Sequence, residues 1–122
     1  MKALSLVIQR AFADPKVHQS EEGQAAVKEA LALLDCGELR VAEKVDGNWV
    51  AQVWVKQAIL LYFRQAKMEE IEIGPFTYHD KVPLKRDFAT TGVRVVPPAT
   101  ARYGSYIEPG AILMPSYVNI GA

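Results

Sequence analysis

Apolar residues in the first third of the chain recur at helical intervals. Between Lys2 and Ala13, the positions Leu4, Val7, Ile8, Ala11 and Phe12 form one stripe, which predicts an amphipathic helix. Asp14 and Pro15 end it, because proline disfavours helical backbone in the residue before it. After a short polar loop, Ser20 is placed to cap a second helix, with Glu21 and Glu22 favourably set against its dipole. Val27, Ala30, Leu31 and Leu34 give that helix its buried face, and Gly37 supplies a left-handed stop.

Beyond Gly37 the spacing shortens. Leu39, Val41 and Val45 lead to Asp46-Gly47, the dipeptide that tolerates positive φ at both central positions of a tight hairpin. Trp49 and Val50 begin the return strand. Helical spacing resumes at Val53, with Trp54, Ala58, Leu61 and Tyr62 on one side and Lys56, Gln57 and Arg64 on the other. Glu70-Ile71-Glu72-Ile73 alternates as a strand does, and Gly74-Pro75 stops it. From Phe76 onward the prolines Pro83, Pro97, Pro98, Pro109 and Pro115 argue against self-contained helix or sheet. Val93 to Val96 reads as an extended segment held by Pro97-Pro98.

A period of six then emerges. Tyr106, Ile112 and Val118 recur at hexad spacing, each followed four residues later by Gly110, Ser116 and Ala122. The physical reading is a parallel β-helix, in which one large apolar side chain per short strand points inward and a small residue turns the corner. By spacing alone, chance recurrence and a few alternating strands fit these residues as well. A solenoid unit cannot bury its apolar face alone, so one coil at most is expected to be an unfinished structure.

Composition restricts the functions open to such a chain. Its 122 residues suit one core, and the 50% apolar content excludes global disorder. Fourteen basic residues balance fourteen acidic ones, so the basic surplus of a nucleic-acid binder is absent. A polybasic membrane patch is equally unsupported. The longest apolar run, Ala58 to Phe63, is too short to span a bilayer. The apolar stretch after Lys2 is broken by Ser5 and ends at Gln9 and Arg10, a poor secretory signal. A single cysteine offers no internal disulfide, and together these features point to the cytoplasm.

Candidate chemistry is sparse. His18 and His79 stand far apart without a ligand-spaced cluster, and no glycine-rich phosphate loop occurs. Cys36 falls at a helix end whose dipole disfavours a thiolate, so it reads as structural. Trp49 and Trp54 lie in apolar patterns and read as core. Lys81, Lys85, Arg86 and Arg102 could steer an anion, but solvated surface charge is the simpler expectation.

Several blocks carry a family resemblance. Asp35-Cys36-Gly37-Glu38-Leu39-Arg40-Val41-Ala42-Glu43-Lys44, then Asp46-Gly47-Asn48-Trp49-Val50 and Trp54-Val55-Lys56-Gln57-Ala58-Ile59-Leu60-Leu61, resemble the N-terminal domain of tetrahydrodipicolinate N-succinyltransferases. So do Asp80-Lys81-Val82-Pro83-Leu84-Lys85, Gly92-Val93-Arg94-Val95-Val96-Pro97-Pro98 and, most specifically, Leu113-Met114-Pro115-Ser116-Tyr117-Val118-Asn119-Ile120-Gly121-Ala122. The resemblance implies an α/β N-terminal domain over 1–88, made of helices and a short hairpin. An extended linker over 89–105 and the first coil of a left-handed parallel β-helix over 106–122 would follow. Family members continue for well over a hundred residues of β-helix beyond this point.

The implied enzyme moves succinyl from succinyl-CoA to tetrahydrodipicolinate in the diaminopimelate route to lysine, as a homotrimer without a bound cofactor. Its catalytic acid and base would lie downstream, so none is assigned here. Arg94 sits where the family's substrate arginine sits. Extended backbone sends it opposite to Val93 and Val95, and a guanidinium grips carboxylates with paired hydrogen bonds. Apart from the resemblance, Arg94 reads as a surface arginine or a structural ion pair. Two rival functions remain: a non-catalytic interaction or trimer-capping module, and a small-anion-binding domain using Arg94.

Overall fold

The computed structural model describes all residues from Met1 to Ala122. Three helices make the core: α1 (Lys2–Ala13), α3 (Glu21–Asp35) and α4 (Val53–Gln65). Their facing stripes bury Ile8, Val27, Leu31, Val55, Ala58 and Leu61 completely, with Ala11, Ala26 and Ala30 allowing close approach. Burial of each large aliphatic side chain stabilises the packing by about 1.5–3 kcal/mol. Ser20 caps α3 as its position predicts, accepting a hydrogen bond from the Gly23 N–H at 3.1 Å. Gly37 ends α3 with φ +82°, and the Leu39 N–H returns to the Leu33 carbonyl at 3.0 Å.

The expected polar loop between these helices contains another helix, α2 (Pro15–Gln19). Asp14, which ends α1, also caps α2 by accepting from the Lys16 N–H, and Pro15 occupies its first position. Proline is suited to that place, where its missing N–H has no partner to lose.

Strands β1 (Ala42–Val45) and β2 (Asn48–Ala51) form the predicted antiparallel hairpin, with Asp46 at φ 48° and Gly47 at φ 80° in its turn. No layer covers this ribbon. Trp49, expected in the core, is therefore 73% exposed opposite Lys44, whereas Trp54 does pack against the helical core.

A second hairpin corrects the expectation of little sheet after Phe76. Strand β3 (Glu69–Ile73) pairs with β4 (Phe76–Asp80), and Gly74-Pro75 connects the two rather than ending the sheet. Phe76, Thr77 and Tyr78 are β-favouring, and the next proline comes only at Pro83, so nothing in β4 blocks the ladder.

The remaining elements are short: α5 (Phe88–Thr91), β5 (Arg94–Val95), β6 (Thr100–Ala101), β7 (Ile112–Leu113) and β8 (Tyr117–Val118). Residues 89–105, expected as an extended linker, thus contain two strands with partners. β5 pairs in parallel with β7, eighteen residues on, and β6 with β8, seventeen residues on. Further layer-to-layer bonds run from the Gly110 N–H to Gly92, from Gly121 to Gly104 and from Tyr106 to Ala122.

The interior here departs in part from the expected one. Val93, Ala101 and Ile107 are buried, with Val95, Leu113 and Val118 packed on them. Ile112, expected inside, is 57% exposed, and Tyr106 lies against Gly37 beneath Arg40. Val95, Ala101, Ile107 and Leu113 are six residues apart, one position out of phase with Tyr106 and Ile112, whereas Val118, also expected inside, does pack inward. A one-residue shift reverses the face on which a strand residue lies.

Candidate functional site: an arginine on a parallel ladder

Arg94 stands on β5, and its surroundings are backbone-rigid. Its N–H donates to the Ala111 carbonyl at 3.1 Å, and the Val96 N–H donates to Leu113 at 2.8 Å. Just before it, Gly92 adopts φ +73° as the stop of α5, and the Val93 N–H donates to Phe88 at 2.9 Å. A side chain at Gly92 would be strained by that backbone and would touch Pro109. Val93 and Val95 anchor the strand inward while Arg94 projects to solvent.

Arg94 has neither an ion pair nor a side-chain hydrogen bond. The structural ion pair, one of the two bland readings, is absent. A free guanidinium on an ordered strand presents its planar fork to a carboxylate or phosphate without first breaking an internal contact.

The neighbouring cations are committed elsewhere, against the expectation of solvated charge. The Lys85 side chain is only 7% exposed; its Nζ donates to Asp35 Oδ1 at 2.8 Å and to the Asp35 carbonyl at 2.7 Å. Asp35 Oδ1 also accepts from the Gly104 N–H at 2.9 Å. Arg102 pairs with Asp80 at 2.8 Å, reaches Asn119 Oδ1 at 3.3 Å and lies over the Phe63 ring. Lys81 donates to the Phe63 carbonyl at 3.0 Å. Arg86 alone of this group keeps the expected exposed, unpaired state. An open groove of about 790 Å³ runs between β3 and residues 80–86, but Arg94 is not among its lining residues.

Three groups titrate away from their ordinary values. Partial burial would raise Asp80, but hydrogen bonds from the Lys81 N–H, Arg102 and the Val82 N–H, with the Arg102 charge, bring it below the usual aspartate range. Burial raises the Tyr62 phenol, and it raises Tyr103 with added repulsion from Asp35. These groups lie between the helical core and the ladder rather than at Arg94. Cys36 is exposed at the C-cap of α3, its thiol directed to the Leu33 carbonyl. His18 is bonded to Gln65 at 3.1 Å, and His79 is exposed on β4. No helix is long and apolar enough to cross a membrane.

Asp35 is the residue that sequence reasoning missed as a centre of organisation. Its partners Lys85 and Gly104 are 50 and 69 positions away, beyond any local signal.

A helical core, two hairpins and a short parallel ladder carrying an unpaired arginine define an α/β framework. The family model described as tetrahydrodipicolinate N-succinyltransferase N-terminal matches residues 3–65, and the chain belongs to that family. Among curated relatives, the 2,3,4,5-tetrahydropyridine-2,6-dicarboxylate N-succinyltransferase of Acinetobacter baylyi is 46% identical, over 100% of this chain and 48% of its own. That of Ralstonia pickettii is 48% identical over 98% and 47%, and that of Paracidovorax citrulli 54% identical over 82% and 39%. The chain spans about half the length of the curated relatives it matches.

Proposed function

We propose that this chain is the N-terminal part of an acyltransferase that moves succinyl from succinyl-CoA to tetrahydrodipicolinate, in the diaminopimelate route to lysine. The observation that carries the reading is Arg94: free of partners, held on a hydrogen-bonded ladder, within Gly-Val-Arg-Val-Val-Pro-Pro. It is the residue that grips a substrate carboxylate. The reaction needs no bound cofactor, because the thioester itself supplies the activated acyl group. Water adds across the cyclic imine and opens the ring to the amino-ketone form; the freed amine attacks the thioester carbonyl, the C–N bond forms as C–S breaks, the amine proton passes to a base, and CoA leaves as the thiol. The acid and base that handle these protons lie outside these residues.

In this reading the β5–β7 and β6–β8 ladders are the first coil of a left-handed parallel β-helix of hexapeptide type, and 92–106 is its first layer. The enzyme works as a homotrimer in the cytoplasm, with its active sites between neighbouring β-helices. The names of the relatives favour the enzyme over a non-catalytic interaction or trimer-capping module.

The test joins these 122 residues to the downstream half of the Acinetobacter baylyi relative and follows CoA release. Turnover is expected with tetrahydrodipicolinate and succinyl-CoA. Arg94→Ala removes charge-assisted hydrogen bonds of about 1.5–3 kcal/mol, raising KM for the dicarboxylate roughly tenfold or more and leaving KM for succinyl-CoA unchanged. A folded fusion without turnover, or equal effects on both substrates, overturns the reading.

A further inference from the structure

The side chains around Arg94 say more about its ligand than the charge does. In a parallel ladder, residues in register lie on the same face, and Arg94 is in register with Ile112. Val96 and Met114 lie one residue beyond the two-residue strands β5 and β7, where the Val96 N–H still bonds the Leu113 carbonyl. The burial agrees. Val93, Val95, Ala111 and Leu113 pack in the interior, whereas Ile112 and Met114 are 57% and 62% exposed and belong to neither core cluster. Val96, half-buried, is likewise outside both. One unpaired guanidinium thus stands in register with an exposed isoleucine, and an exposed methionine follows two residues along.

A free phosphate or a bare carboxylate would use the charge and leave the apolar neighbours in water. An anion carried on a hydrocarbon body would use both. We infer that Ile112 and Met114 are substrate-contacting residues that select, at the Arg94 site, for a carboxylate attached to a hydrocarbon body. This rests on Arg94 being the carboxylate-binding residue. The division of labour is clear in physical terms: Arg94 holds the carboxylate in the plane of its fork, while the two side chains desolvate the carbon skeleton next to it. Each buried methylene improves affinity roughly fourfold, so the apolar pair can discriminate between ligands of equal charge.

Two dicarboxylates of equal charge make the test. Pyridine-2,6-dicarboxylate carries its carboxylates on a ring, and malonate carries them on a single methylene. Both are titrated by NMR into the full 122-residue chain with labelled arginine side chains and labelled Ile and Met methyl groups. The ring compound is expected to shift Arg94 Nε together with the Ile112 and Met114 methyls, and to bind at least about fourfold more tightly than malonate. Ile112→Asn with Met114→Gln, both exposed positions, should erase that preference and leave the malonate response of Arg94 in place. Arg94→Ala should abolish the response to both ligands.

If Arg94 responds equally to both ligands while the methyls stay silent, the inference falls and the carboxylate role of Arg94 stands. If Arg94 responds to neither ligand at tens of millimolar, both fall. Methyl shifts that follow protein concentration rather than ligand would mean that a second copy covers this face, which also overturns the inference.

Discussion

Gly23 occupies the first turn of α3, where alanine would ordinarily favour the helix by up to about 1 kcal/mol. Its surroundings reverse that sign. A Cβ at Gly23 would collide with the backbone carbonyl of Val17, which cannot swing aside as a flexible side chain could. Gly23→Ala should therefore destabilise the fold by about 1–3 kcal/mol, measured by urea unfolding, rather than stabilise it. Asp80 offers a residue-scale test by pH. Its folded pKa lies below the unfolded value of about 3.9, so its contribution is full above that value and is lost as pH falls through the folded pKa. The stability gap between the parent chain and Asp80→Asn should be open at pH 7 and close progressively below about pH 4. A gap that persists at low pH would show that Asp80 acts by packing rather than by charge.

Among the elements, the hairpins show what local pattern can and cannot convey. Asp46-Gly47 is legible because the turn itself demands positive φ at both positions, and the structure has them. No atom stands within 4 Å of a Cβ built at Gly47, so Gly47→Val tests backbone strain alone. It should cost about 1–2 kcal/mol within β1–β2, seen as lost amide protection at Trp49 and Val50, while the helical core melts unchanged. The β3–β4 hairpin was harder to read, because the proline count of the whole C-terminal region obscured five proline-free residues at its start. In the ladders, the interior period could be inferred but the phase could not. Ile112 and Leu113 are both apolar, and only contact with Ala101, Ile107 and Val118 decides which faces inward.

Asp35, Lys85 and Gly104 bear on the whole molecule, because they fasten the helical core to the ladder. Gly104, at φ +89°, also brings its backbone close to Leu31 of the core and to Ile120. Pro83 and Lys85 add backbone bonds to Tyr103 and Ala101, beside the Leu84–Arg102 bridge. Lys85→Met should leave the Asp35 carboxylate short of its partner and cost about 2–3 kcal/mol. The expected result is a Tm lowered by roughly 10 °C, with α3 and the β6–β8 ladder losing amide protection together. Loss of protection in the ladder alone would show that the two parts are not mechanically joined.

What the amino-acid order determined by itself is local. The three main helices, the Ser20 cap, the Gly37 stop and the Asp46-Gly47 turn each depend on residues within about one helical turn of one another. The absence of a basic surplus is likewise a property of composition. Tertiary structure decided which cations are spent and which stay free: Lys85 and Arg102 look as exposed as Arg94 in the sequence, yet their partners lie 50 and 22 residues away. It also decided the ladder phase, and with it that Ile112 stands outside beside Arg94. A charge is consumed or left open, and a strand faces in or out, according to contacts made across the fold, and no local window of sequence contains them.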